Sequence, residues 1–141
     1  MKITIARIRK PNMKNINEDL QWFSDSLGLF TERDKEKSCF RIFVQLVRAA
    51  RKRQILSSDE LALKSNLSRG TVIHHLKKLI DSSLIMQYKN GYMLKADNLE
   101  TLTREIKREV DSTFEELSSI AKELDDELGL LKRKEKENVI E

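Results

Sequence analysis

The chain has 141 residues, 39% hydrophobic, 35% charged and 6% aromatic, with a formal net charge of +4. That length suits one ordinary domain plus an extension, and so few aromatics argue against recognition by base stacking. The longest apolar runs, such as 39–47, are broken by Arg41 and Gln45 and fall short of the roughly 20 residues of a membrane span, while the alternating charged start is not a signal peptide and the lone Cys39 fits a cytoplasmic, disulfide-free protein.

Residues 1–16 read as a basic extended arm. Ile3, Ile5 and Ile8 alternate imperfectly with Lys2, Thr4, Arg7 and Arg9, which predicts an edge strand or an arm ending at Pro11. A first helix is expected over Asn17–Leu27, with Leu20, Phe23, Ser24 and Leu27 on one face and Gly28 as its stop. Leu29 and Phe30 would then close a small apolar contact. The next helix is expected from Thr31 to Arg53. Its stripe is Phe40, Phe43, Val44, Val47 and Ala50, widened by Ile42, Leu46 and Ala49. The cations Arg48, Arg51, Lys52 and Arg53 suit the negative end of its dipole.

Ser57 and Glu60 form a capping-box pattern ahead of a short helix, 58–65, with Leu61 and Ala62 inward. Asn66-Leu67-Ser68 makes a turn, and Ser68 caps a helix running to about Ser82. The buried side of that helix is read as Leu67, Val72, Leu76, Leu79 and Ile80. Residues 85–89 and 92–95 are short strands around Asn90-Gly91, a dipeptide suited to two turn positions with φ > 0. Asp97 and Glu100 repeat the capping pattern and open the longest helix. Its apolar positions are Leu99, Leu102, Ile106, Val110, Phe114, Leu117, Ala121, Leu124 and Leu128, at a mean spacing near 3.6. Such a stripe needs a partner: it could fold back on its own body or pair with its copy, and antiparallel or crossed homodimerisation through these nine residues is the expectation. The domain layout is thus an arm (1–16), a domain (17–96), a dimerisation helix (97–131) and a disordered charged tail (132–141).

Charge follows that layout. Residues 1–54 hold 13 basic and 6 acidic residues, 55–95 hold 6 and 3, and 96–141 hold 8 and 14. The first two-thirds suit a polyanion and the last third does not.

Three helices, a three-residue turn before the third, and a hairpin give the order of a winged helix-turn-helix. The expected fold is therefore mainly α, with a small β-hairpin wing and a long C-terminal dimerisation helix. In that geometry the third helix enters a major groove and the wing flanks it over the backbone. The candidate nucleic-acid contacts are Ser68, Arg69, Gly70, Thr71, His74, His75, Lys77 and Lys78 on the helix, with Lys89 and Asn90 on the wing. Arg69 can fork onto guanine or phosphate. Hydroxyls and free amides at a helix start hold phosphate. Gly70 costs helix stability, yet lets a backbone approach. Of the four residues Thr71, His74, His75 and Lys78, spaced for one face, His74 is expected to meet the groove and His75 to pack or to contact the backbone.

The run ELALKSNLSRGTVIHHLKKLIDSSLI, residues 60–85, resembles the helix-turn-helix of ArsR- and MarR-type winged-helix regulators. The matching positions are Leu61, Ala62, Leu67, Ser68, Thr71, Val72, His75, Leu76, Leu79, Leu84 and Ile85. With RDKEKSCFRIF, residues 33–43, the chain is also similar to a set of small archaeal ArsR-like proteins. The resemblance implies sequence-specific binding of double-stranded DNA, a homodimer and transcriptional control. Two positions depart from it. The Cys-x-Cys site of metal sensors is absent, and Ser83 stands where the pattern has glycine.

No metal or other cofactor is expected. His74 and His75 diverge by about 100° on a helix, and zinc needs three or four ligands. Nor is an enzyme expected, since there is no phosphate-cradling glycine loop, no GxSxG and no paired carboxylates. The alternative to a DNA-binding regulator is a dimeric factor for the ribosome or structured RNA, because phosphate dominates either encounter and the arm carries Arg7, Arg9, Lys10 and Lys14. A protein-binding adaptor is the third reading.

Overall fold

A computed structural model describes residues 1–12, 14–29, 34 and 36–130. Seven elements follow one another: α1 (Ile16–Ser26), α2 (Ser38–Arg51), α3 (Ser58–Ser65), α4 (Arg69–Asp81), β1 (Ile85–Tyr88), β2 (Gly91–Leu94) and α5 (Leu99–Leu128). The chain divides into two compact units, residues 1–106 and 107–141. The predicted contact of Phe30, the predicted start of the second helix at Thr31 and the tail 132–141 lie outside the described residues.

In the first unit each helix starts where a polar side chain can take the amides left free at a helix N-terminus. Asn15 accepts from the amides of Asn17 and Glu18 and opens α1. The predicted capping box forms at α3: Ser57 accepts from the Glu60 amide and Glu60 accepts from the Ser57 amide, both at 3.1 Å. Such caps contribute about 1 kcal/mol each. Two starts differ from expectation. The second helix begins at Ser38, where the carboxylate of Asp34 accepts from the amides of Ser38 and Cys39 at 3.0 Å each. The cap of α5 is Asn98, whose side chain accepts from the Thr101 amide at 2.8 Å, one residue beyond Asp97.

The core sits where α2 crosses α3, α4 and the hairpin. Its largest buried side chains include Phe43, Ile42, Leu46, Leu61, Leu76, Leu79 and Leu84. The stripe predicted for α2 is corrected here. Cys39, Ile42, Phe43, Leu46 and Ala49 are buried, whereas Phe40, Val44, Val47 and Ala50 are only partly covered. Both stripes recur at helical spacing, and packing against α3 and α4 selects the first. In α4 the buried residues are Val72, Leu76 and Leu79, while Ile80, expected inside, is 39% exposed.

The arm is not a strand. It is tied by separate hydrogen bonds, Lys2 N–H to the Asp81 carbonyl at 2.9 Å and Ala6 N–H to the Ser26 carbonyl at 2.7 Å. Trp22 Nε1–H adds a third to the Ile8 carbonyl at 2.9 Å. No ladder forms with α-helical neighbours. Gly28 does stop α1, at φ +76°, and Thr4 passes so near that a Cβ there would lie 2.8 Å from Thr4 Cβ.

The hairpin forms with a different turn from the expected one. Tyr88 pairs with Gly91, so the two-residue loop is Lys89-Asn90, with Lys89 left-handed at φ +54°. Gly91 already belongs to β2. Its lack of a side chain serves packing: a Cβ would sit 2.9 Å from the Leu56 carbonyl oxygen, because Leu56 bridges to Tyr92. Close backbone approach, not turn geometry, demands the glycine.

Ser83 adopts φ +64° and is buried. A left-handed non-glycine residue costs about 1–2 kcal/mol. Ser83→Gly is therefore expected to stabilise the chain by about 1 kcal/mol, read as a higher urea midpoint at unchanged m-value. A lower midpoint would mean that the hydroxyl contributes more than the strain costs.

In α5, Leu102 and Ile106 are buried within the first unit and Leu99 and Val110 are half-covered. Leu102 and Ile106 are thus core residues, not dimer-contact residues. In the second unit Phe114, Leu117, Ala121, Leu124 and Leu128 are exposed, as is Ile120, which was not expected among them. No helix of the described residues is long and apolar enough to cross a membrane.

Candidate nucleic-acid interface

The rotation of α4 is fixed by Val72 and Leu79, both 0% exposed, and Leu76 at 1%. Opposite that buried side, Gly70, His74 and Lys77 lie fully outward, at spacings of four and three. Thr71, His75 and Lys78, predicted with His74 on one face, are half-buried along one edge of it. The three core side chains set this phase, which a face read from polar residues alone places about 60–100° away.

Ser68 caps α4 as predicted. Its hydroxyl accepts from the Thr71 amide at 3.2 Å and donates to Thr71 Oγ1 at 2.8 Å. Both hydroxyls are thus engaged locally, and the amides of Arg69 and Gly70 remain without an acceptor among the described residues. Those two amides, at the positive end of the helix dipole, suit an anionic oxygen. A Cβ on Gly70 would meet nothing within 4 Å, so the chain's own packing does not require glycine there. Arg69 reaches Asp59 at 3.6 Å, but both side chains are about three-quarters exposed. Such a pair holds the guanidinium weakly and leaves it free to exchange partners.

On the wing, Lys89 and Asn90 occupy the exposed loop. Tyr88, which the sequence reading passed over, is 46% exposed beside them, and the Lys89 ammonium lies 5.4 Å from its ring centroid. Its place at the edge of the predicted turn was the available signal.

His75 faces the other way from His74 in part. Its Nδ1 is enclosed without a hydrogen-bond partner, and its ring lies 5.2 Å from that of His74. Burial pushes the His75 imidazole below its usual 6.5; the Asp34 carboxylate pulls against this, and His74 and Lys78 add to it. Burial also opposes ionisation of Asp34, but the amides of Cys39 and Ser38, then His75 and the Ser38 hydroxyl, together hold its carboxyl below the usual range. Cys39 beneath is fully buried, and burial raises its thiol to about 11, which keeps it protonated at neutral pH. Among the described residues no three His, Cys, Asp or Glu side chains are grouped for a metal.

The His75 environment has a pH consequence. The folded state favours the neutral ring, so the unfolded chain takes up the proton first as pH falls. The stability tied to this ring is complete above about 6.5 and is lost as pH drops through the lower folded value. Asp34 acts in the same direction but only below about 3.8. Urea midpoints are expected to fall between roughly pH 7.5 and 5.5, with a shallower slope in His75→Gln. Equal slopes would place the responsible proton elsewhere.

A tri-helical core, an outward cationic third helix with a free N-terminal turn, and a hairpin beside it define a winged helix-turn-helix domain. Residues 46–86, from the middle of α2 into β1, match the family described as winged helix-turn-helix DNA-binding. Comparison with curated proteins and with solved structures gives no match.

Proposed function

We propose that the protein is a DNA-binding transcriptional regulator that acts as a homodimer. In this reading α4 enters the major groove, with Gly70, His74 and Lys77 toward the bases and Arg69 and the first-turn amides on phosphate. The Lys89-Asn90 loop rides over the neighbouring backbone, and Thr71, His75 and Lys78 line the edge of the contact. The observation that carries the reading is the outward, uncovered, cationic side of a helix whose opposite side is locked into the core. The similarity of residues 46–86 to a DNA-binding family agrees with it, as does the basic balance of the first two-thirds of the chain. The relation to ArsR- and MarR-type regulators, and to small archaeal ones, is part of the same proposal.

Competition binding tests it. Enrichment from genomic fragments is expected to yield a duplex retained under excess non-specific DNA and RNA. Loss of all duplex binding to RNA competitor, with co-sedimentation on ribosomal subunits, would instead establish the RNA-directed reading, to which the arm's cations are equally suited.

A further inference from the structure

We propose that residues 110–128 of two copies pair as a parallel, in-register, two-stranded coiled coil; the inference deepens the homodimer reading and rests on it. The apolar spacing of α5 changes along its length. Leu99, Leu102, Ile106 and Val110 follow steps of three, four and four, and Leu102 and Ile106 are buried in the first unit. From Val110 the steps to Phe114, Leu117, Ala121, Leu124 and Leu128 are four, three, four, three and four. That is a strict 3.5-residue repeat, which supercoils left-handedly around a partner, whereas the mean near 3.6 over the whole helix hides it. The change of repeat falls at the boundary between the two units, after Ile106.

In heptad terms Phe114, Ala121 and Leu128 occupy a, and Val110, Leu117 and Leu124 occupy d. Leu117 and Leu124 supply the Leu at d found in parallel dimers, while a holds Phe114, Ala121 and Leu128 in place of the usual β-branched residues. Phe114, Leu117, Leu124 and Leu128 are 61, 57, 47 and 67% exposed, so these four have no cover among the described residues. Over about 27 Å of helix this is a continuous apolar seam of six layers.

The flanking positions decide the partner and its direction. Positions e are Asp111, Ser118 and Asp125; positions g are Thr113, Ile120 and Glu127. A parallel copy sets Thr113 against Ser118 and Ile120 against Asp125, so no two like charges meet within 110–128. An antiparallel copy that keeps all six layers sets Asp111 against Asp125 twice, and like charges facing one another are unfavourable. The remaining charges lie at b, c and f, away from the seam. Parallel self-pairing therefore satisfies the seam without opposing its acidic flanks.

Disulfide trapping in the full chain reads direction directly, since Cys39 is buried and silent. Leu124→Cys and, separately, Phe114→Cys are each expected to form a same-residue disulfide dimer under mild oxidation. Mixing a size-tagged Phe114→Cys chain with Leu124→Cys is expected to give no preferential mixed product. A dominant 114–124 product would overturn the parallel arrangement. Dimer mass by light scattering without any of these crosslinks would overturn the coiled coil while sparing the homodimer, and a monomer mass would remove the homodimer itself. A trimer or tetramer mass would overturn the two-stranded state. All substituted positions are exposed, so folding, checked by circular dichroism, is expected to be intact.

Discussion

Arg69→Ala combined with Lys77→Ala is expected to weaken duplex binding by at least about tenfold and to lower the slope of log affinity against log salt by about 2. Both side chains are exposed on α4: Arg69 beside the free first-turn amides, Lys77 two turns along. In the proposed complex each would neutralise one phosphate, and each phosphate contact releases about one counterion. Neither side chain supports the fold. Among the described residues Arg69 has only the exposed Asp59 as an ion-pair partner, and Lys77 lies on the side away from Val72, Leu76 and Leu79. The thermal midpoint of the double variant is therefore expected to stay where it is. Fluorescence anisotropy with a fixed duplex at several salt concentrations is the measurement. An unaltered affinity and slope would show that α4 does not face the nucleic acid. A base-specific role of Arg69 would appear as a further loss confined to the preferred sequence.

Leu117→Glu with Leu124→Glu is expected to convert the protein to a monomer and to weaken binding to a two-half-site duplex by about 100-fold or more, while a single half-site is bound as before. Both residues are exposed in the single chain, so the charges cost nothing in the monomer. In a paired seam they would be buried without counter-charge, which is strongly unfavourable. The loss on the long duplex follows from effective concentration: once one half-site is held, the second unit of a dimer binds as if at millimolar concentration. Sedimentation velocity gives the mass, and a dimer mass in the double variant would direct attention to another face. Leu102→Glu makes a useful contrast, because Leu102 is 0% exposed within the first unit and its variant is expected to unfold, not to dissociate.

Much of this was legible from residues alone. Ser57 with Glu60 and Ser68 before Arg69 each carry a local geometry that needs no distant partner, and each appears where the pattern put it. The order of helices and hairpin followed from these punctuation marks and from helical spacing. What misled was any choice that neighbours make. Asn90-Gly91 has the composition of a turn, but Leu56 needs the space at Gly91, and the loop shifts one residue back to Lys89-Asn90. Thr71, His74, His75 and Lys78 are polar at the spacing of one face, yet three of the four are half-covered.

The sequence by itself determined the local signals: where α3 and α4 begin, that a hairpin follows α4, and that cations collect on α4. These depend on hydrogen bonds within a few residues, which travel with the residues that make them. Only the tertiary structure decided which stripe of α2 is core, how far α4 is rotated, and where the stripe of α5 leaves the first unit for a different repeat. Those depend on close packing against side chains distant in sequence, and two stripes of equal spacing differ only in what they are given to pack against.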